Sequence, residues 1–178
     1  MTTLDARSIT LRPWEPTDVA PLAAIANDRR IWQNLRDRFP HPYGEADAKA
    51  WIELVSSQPL PTTSFAITLD GEVIGGIGLE RFDDVHRGTA EIGYWLGAAH
   101  WGRGHATEAV VALTTYGFET LGLQRIQAGV YEWNPASGRV LVKAGYQLEG
   151  RLRRHVCKDG RVGDVLLYAT IREGHEAR

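Results

Sequence analysis

One cysteine, Cys157, stands in 178 residues, so an internal disulfide is excluded, and no Cys/His cluster surrounds it to suggest a metal site. It reads as a strand residue rather than a nucleophile. His100 and His105 lie five apart, a spacing that does not bring them onto one helical face, so no metal role is expected of them. Charge of one sign is also missing: the net charge of −2 gives no general attraction to nucleic acid or to an anionic membrane. The locally basic stretch from Arg139 to Arg161 reads as a solvated strand face. No run of about 18 apolar residues occurs and the N-terminus has no apolar stretch, so neither a membrane span nor a secretion signal is indicated, and a cytoplasmic location is the expectation. There is no Gly/Ser/Pro-rich or charged linker, no internal repeat and no low-complexity segment. A single domain over residues 1–178 follows as the expected organisation.

What the chain does have is a glycine-spaced stretch, Trp101-Gly102-Arg103-Gly104-His105-Ala106-Thr107-Glu108-Ala109, that opens directly into a helical pattern. Apolar Ala106, Ala109, Val110, Leu113, Phe118 and Leu121 predict a helix from about His105 to Thr120. Glycines let a loop turn its amides to one side and let a ligand approach the backbone closely. The helix that follows offers unpaired N–H groups and the positive end of its dipole to the same spot. The loop is not a P-loop, because no Lys-Ser or Lys-Thr pair follows its last glycine. Nor is it the dinucleotide fingerprint, since Ala106 stands in a different register from a third glycine. Two readings remain: a diphosphate cradle, or a tight strand-to-helix connection.

The remaining pattern is mixed. Ile9 and Leu11 alternate as a short strand, ended by Pro13 and Pro16, and Thr17 or Asp18 caps a helix to about Asn27. Residues 31–43 are irregular and rich in aromatics and proline, either a cover over the core or a lip for a substrate, with Phe39 and Tyr43 as the substrate-side candidates. A second helix spans about Glu45 to Leu54. Phe65, Ile67 and Leu69, then Asp70-Gly71, then Val73 to Leu79 predict a hairpin with a two-residue turn. Strands are expected at Thr89–Leu96 and Arg125–Tyr131. A short helix begins at Pro135 and is stopped by Gly145, and a last strand pair, Tyr146–Arg153 and Val162–Ile171, flanks Lys158-Asp159-Gly160.

Several of these pieces carry a resemblance. They are Glu91-Ile92-Gly93-Tyr94-Trp95-Leu96-Gly97, the glycine loop, Asn134-Pro135-Ala136-Ser137 and Lys143-Ala144-Gly145-Tyr146. With Ile9-Thr10-Leu11-Arg12-Pro13 and Leu148-Glu149-Gly150, they resemble the GNAT superfamily of acyl-CoA-dependent N-acyltransferases in its own order over nearly the whole chain. Within it the likeness is to the ribosomal-protein-alanine acetyltransferase (Rim-type) branch. The resemblance implies an α/β fold: a mixed, mostly antiparallel twisted sheet of about seven strands flanked by helices and splayed between the fourth and fifth. It implies acetyl-CoA as acyl donor, its pantetheine arm pairing with main chain around Trp95 and Leu96, its phosphates on the amides of Gly102, Gly104, His105, Ala106 and Thr107. Arg103, Arg139 and Lys143 could meet the phosphates at the nucleotide end, or be ordinary solvated charges. Asn134 would bond the pantetheine amides besides capping the helix at Pro135.

Acyl transfer to an amine requires a neutral amine and a stabilised leaving thiolate. In the resembled branch the glutamate matching Glu91 is the general base and the serine matching Ser137 lies at the thioester sulfur. The tyrosine that many members place seven residues after the asparagine is absent, since that position is Leu141. A serine hydroxyl is a far weaker acid than a thiol of pKa about 8.5, so Ser137 reads as a hydrogen-bond donor to the thiolate. Tyr94, on the same strand as Glu91, is a further substrate-side candidate beside its ordinary role in sheet packing. The acceptor could be a protein N-terminal amine or a small amine such as an amino acid, polyamine or antibiotic. A CoA-binding regulatory module without turnover is the alternative from another class. The family's habit of dimerising extends the expectation to a homodimer.

Overall fold

The computed structural model describes residues 2–173. One eight-stranded sheet organises the chain: β1 (Leu4–Asp5), β2 (Thr10–Arg12), β3 (Ser64–Leu69), β4 (Glu72–Arg81), β5 (Thr89–Leu96), β6 (Arg125–Tyr131), β7 (Gln147–Lys158) and β8 (Arg161–Ile171). In space they run β1-β2-β3-β4-β5-β6-β8-β7, and every neighbouring pair is antiparallel except β5 with β6. Five helices flank it: α1 (Val19–Ala26), α2 (Arg29–Trp32), α3 (Glu45–Ser56), α4 (His105–Glu119) and α5 (Pro135–Lys143).

The period-two pattern explains why both faces of the sheet are covered. Phe65 and Ile67 of β3 point into the cluster that holds Val110, Leu113 and Tyr116 of α4, while Ala66 between them joins Leu22, Ala26, Ala48 and Ile52 of α1 and α3. The Asp70-Gly71 turn has φ of 52° and 86°, the doubly positive geometry that a two-residue hairpin demands.

One expectation is refined and three are corrected. The sheet has eight strands rather than about seven, because Leu4–Asp5 pairs with Thr10 and Leu11 as a two-residue edge. Asp18 does not cap α1 with its carboxylate, which turns back to accept from Arg12 at 2.7 Å on both oxygens and from the Glu15 amide at 2.9 Å. The irregular stretch begins with a helical turn, α2, capped by the Asp28 carboxylate accepting from the Arg30 amide at 2.8 Å. Finally, β7 runs on past Arg153 to Lys158. Arg154 takes a φ of 52° and the register slips between Leu152 and Val156, so a bulge masks the strand's alternation.

The splay lies where it was expected. β5 and β6 pair only at Thr89↔Arg125, Ala90↔Ile126 and Glu91↔Gln127. Beyond Glu91, β5 stays with β4 as far as Leu96, and β6 stays with β8 as far as Tyr131. Each strand therefore keeps one satisfied edge and turns the other, unpaired, to the gap.

Candidate active site

The gap is the floor of a cleft of about 1570 Å³ that runs from the glycine loop, past the parted strands, to Trp51 and Leu54 on α3. Its geometry follows from the phase of the β4–β5 ladder. Gly97 N–H donates to the Ile74 carbonyl at 2.8 Å, which fixes alternate residues of β5 as bonded to β4. Trp95 is one of these, so its main chain is already used, and the groups facing the gap are those of Tyr94 and Leu96. The Leu96 carbonyl accepts from Trp101 Nε1 at 2.8 Å, which leaves the Leu96 N–H and both main-chain groups of Tyr94 toward the opening. A partner laid along β5 would therefore bond Tyr94 and Leu96 rather than Trp95, whose ring instead packs edge-on to Phe39 at 5.5 Å.

From Trp101 the loop turns through Gly102 (φ 75°) and Gly104 (φ 91°), both in the left-handed region. A Cβ at either would meet nothing within 4 Å, so it is the backbone angle and not crowding that calls for glycine. Gly104 is the N-cap of α4, no side chain caps the helix, and the first intrahelical bond runs from Glu108 N–H to the Gly104 carbonyl. The amides of His105, Ala106 and Thr107 consequently have no intrahelical partner at the loop mouth. The His105 ring, only 8% exposed, is turned inward, with Nδ1 at 3.1 Å from Ser8 Oγ, so the amide is what this residue can offer an anion. Ser8, which sequence reading missed, also donates to Glu108 through both its amide and its hydroxyl at 2.8 Å. That ties the carboxylate in the helix's first turn away from the loop. Burial, and after it the neighbouring Arg103, push His100 below its ordinary value, against a smaller opposing pull from Glu72. Arg103, Arg139 and Lys143 are exposed, and none is paired with a carboxylate among the described residues.

Across the gap, Asn134 caps α5, its Oδ1 accepting from the Ser137 amide at 3.4 Å. Ser137 Oγ lies 2.8 Å from Tyr94 Oη, with either hydroxyl able to donate, and the Ser137 carbonyl lies 3.1 Å from the same Oη, whose one proton serves one of the two. Tyr94, expected on the substrate side, is thus engaged with Ser137 on the α4–α5 face of the sheet. Glu91 lies on the opposite face, at the last paired position before the strands part. Arg36 bonds its Oε1 and reaches Glu80 Oε2 at 3.1 Å, while Arg38 donates to the same Glu80 oxygen at 2.8 Å. Glu80 and Glu91 are cross-strand partners, so two carboxylates that would repel are bridged by one guanidinium. Arg38, then Arg36, hold Glu80 below the usual carboxylate range. Asp37, between them, accepts from Lys158 Nζ at 2.7 Å; the ammonium is 3% exposed and sits 3.8 Å from the centroid of Trp32. The irregular segment is thereby pinned over Glu91 by both neighbouring charges and the β7–β8 hairpin. Arg36, Arg38 and Glu80 carry no signal in sequence, and Lys158 shows there only as the first residue of the Lys158-Asp159-Gly160 turn.

The aromatic lip divides. Phe39 is half-buried at the cleft, while Tyr43, only 5% exposed, packs with Ala48 and Ile52, stacks against Phe39 at 4.7 Å and still lines the same cleft. Among the described residues no cluster of three or more His, Cys, Asp or Glu gathers as a metal would require, and no helix is long and apolar enough to cross a membrane.

The buried phenols make an alkaline prediction. Burial pushes Tyr43 and Tyr94 up to about 12 and raises Tyr131 and Tyr146 as well. A folded-state pKa above the unfolded value of about 10 contributes stability that is complete below pH 10 and lost as pH rises toward 12. The urea midpoint should hold to about pH 9.5 and then fall in step with tyrosinate absorbance; a midpoint flat to pH 12 would contradict the burial of these hydroxyls.

Comparison with known proteins agrees with this layout. Residues 8–147 match the family model described as an acetyltransferase (GNAT) domain. An uncharacterized N-acetyltransferase of Bacillus licheniformis is 34% identical over 177 residues, 97% of each chain. The ribosomal-protein-serine acetyltransferase of Escherichia coli is 28% identical over 93% of this chain and 94% of its own. Among solved structures, Mycobacterium smegmatis RimJ in complex with CoA-disulfide superposes with a TM-score of 0.85 at 26% identity, covering 97% of this chain and 88% of the other.

Proposed function

Because the chain belongs to the GNAT acetyltransferase family and is an N-acetyltransferase, we propose that it moves an acetyl group from acetyl-CoA to the amino terminus of a protein, as one acyltransferase domain. The observation that carries the reading is the parting of β5 and β6 immediately after Glu91, which leaves unpaired main chain on β5 leading to an uncapped helix N-terminus. An extended amide-bearing arm fits the first and a diphosphate the second. The CoA complex of the M. smegmatis relative supports the same donor.

Acetyl-CoA supplies an activated thioester. Tyr94 and Leu96 bond the pantetheine arm, and the amides from Gly102 to Thr107 hold the diphosphate, with Arg103 nearest and Arg139 and Lys143 on α5 in support. Asn134 caps α5 through Oδ1 alone, and its Nδ2 donates to the pantetheine amides. The acceptor enters on the face where Phe39 and Glu91 lie. Its nitrogen bonds to the acetyl carbon, the carbon–sulfur bond breaks with the electron pair on sulfur, and the amine proton passes to Glu91. Ser137 donates a hydrogen bond to the departing thiolate. No covalent acyl-enzyme is needed, since the one cysteine, Cys157, lies exposed on β7.

An α-amino group, with a pKa of about 8 against about 10.4 for lysine, is largely neutral with modest help, which suits a single carboxylate base. The substrate named for the E. coli relative, a ribosomal protein, points the same way. Thiol release from acetyl-CoA is to be measured against N-terminal peptides and against small amines, with acetyl-CoA binding recorded on the same sample. Turnover with peptides is expected. Turnover confined to small amines would replace the acceptor class, and absence of acetyl-CoA binding would overturn the donor.

A further inference from the structure

We infer that Tyr94 is a positioning residue for the leaving-group step: its hydroxyl donates to Ser137 Oγ and so aims the serine's own proton at the departing sulfur. The inference rests on the thiolate-donor role proposed for Ser137. The distances carry it. Tyr94 Oη has one proton, and its two polar partners are both atoms of Ser137, Oγ at 2.8 Å and the carbonyl at 3.1 Å. A hydroxyl on the first turn of a helix ordinarily spends its proton on nearby backbone. Here, when Tyr94 donates to Oγ, that oxygen accepts from the phenol and its proton remains for the cleft, which Ser137 and Tyr94 both line.

The packing that produces this contact is specific to these residues. Gly138 follows Ser137, and a Cβ there would stand 2.8 Å from Tyr168 Oη, so glycine lets the first turn of α5 settle onto β8 without displacing that phenol. That descent brings Ser137 to β5, where the alternation of the strand presents Tyr94 on the same face as Ile92 and Leu96. Burial keeps the phenol in its neutral, donating form to about pH 12. No proton need leave either hydroxyl. A thiol of pKa about 8.5 departs as the thiolate, and the two hydroxyls form a hydrogen-bonded chain that becomes stronger as negative charge grows on sulfur.

The test is a double-mutant cycle in kcat with saturating acetyl-CoA, using Tyr94→Phe, Ser137→Ala and the pair, with KM for acetyl-CoA and the thermal midpoint followed in each. Tyr94→Phe should lower kcat about tenfold with KM changed less than about twofold. In the Ser137→Ala background it should cost less than about twofold, because its effect runs through the missing hydroxyl. Placing 3-fluorotyrosine at position 94, which keeps a hydroxyl and makes it a better donor, should hold kcat at or above the parent value even if the phenylalanine variant folds poorly. Equal losses from Tyr94→Phe in both backgrounds, or a fluorotyrosine variant as impaired as the phenylalanine one, would overturn the inference while leaving Ser137 in its role. An unchanged kcat in Ser137→Ala would instead remove the Ser137 reading, and this inference with it.

Discussion

Replacing Glu91 by glutamine is expected to lower kcat/KM by about 10²- to 10³-fold, with acetyl-CoA affinity held within about twofold. The amide is nearly isosteric and keeps an oxygen for Arg36, so the loss isolates proton acceptance from packing. Position makes the carboxylate the candidate. Glu91 is the last β5 residue paired with β6, its side chain is on the face opposite Tyr94 and Ser137, and the strands open just beyond it. An amine approaching from that face meets Glu91 before it meets the gap. The Arg36 bridge adds a condition, because the guanidinium occupies Glu91 Oε1 and an amine reaching that oxygen must displace it. Arg36 retains Glu80 at 3.1 Å when it lets Glu91 go, so the exchange needs only a swing of one side chain. Steady-state kinetics with an N-terminal peptide, paired with calorimetry of acetyl-CoA binding, checks both halves. Retention of more than about a third of the parent kcat/KM would assign Glu91 a merely structural pairing with Arg36.

What the sequence disclosed and what it hid divide along sequence separation. The glycine loop, the Asp70-Gly71 turn, the Asn134-Pro135 helix start and the Gly145 stop are local devices whose chemistry lies within a few residues, and each appears where its residues stand. The splay was read from a family likeness, and its physical cause, two strands each loyal to a different neighbour, is visible only in the registers of Leu96 with Gly75 and Tyr131 with Val165. The partners that govern the site come from far along the chain: Arg36 reaches Glu91 across 55 residues, Tyr94 meets Ser137 across 43, and Ser8 holds Glu108 across 100. No periodicity encodes such pairs. The choice of Tyr94 over Trp95 for the free edge depends on ladder phase, which a one-residue slip would invert and which the strand's composition does not fix. Tyr43 shows a simpler limit, since an aromatic in a loop looks the same in sequence whether it faces a ligand, packs in the core or, as here, does some of each.

The same ladder makes Gly75→Ala the most disruptive small substitution expected on this sheet. A Cβ at Gly75 would stand 2.3 Å from the Trp95 carbonyl oxygen, 2.7 Å from Leu96 Cδ2 and 3.0 Å from Leu96 Cα. The first and last of these are backbone atoms, so no rotamer change relieves the clash and β5 must move at the residues that border the gap. Overpacking of this kind costs about 3 kcal/mol, which for a domain of this size is a fall in Tm of about 6–12 °C. Because the displaced segment carries the Leu96 N–H, acetyl-CoA affinity should weaken at least about tenfold in whatever fraction remains folded. Gly93→Ala supplies the contrast: it lies on β5 itself, yet a Cβ there meets nothing within 4 Å, and its stability should stay within about 0.5 kcal/mol of the parent. Thermal unfolding with and without acetyl-CoA reads both. If Gly75→Ala melts with the parent and binds equally well, β5 is not held against β4 at the spacing described, and the open edge assigned to Tyr94 and Leu96 loses its support.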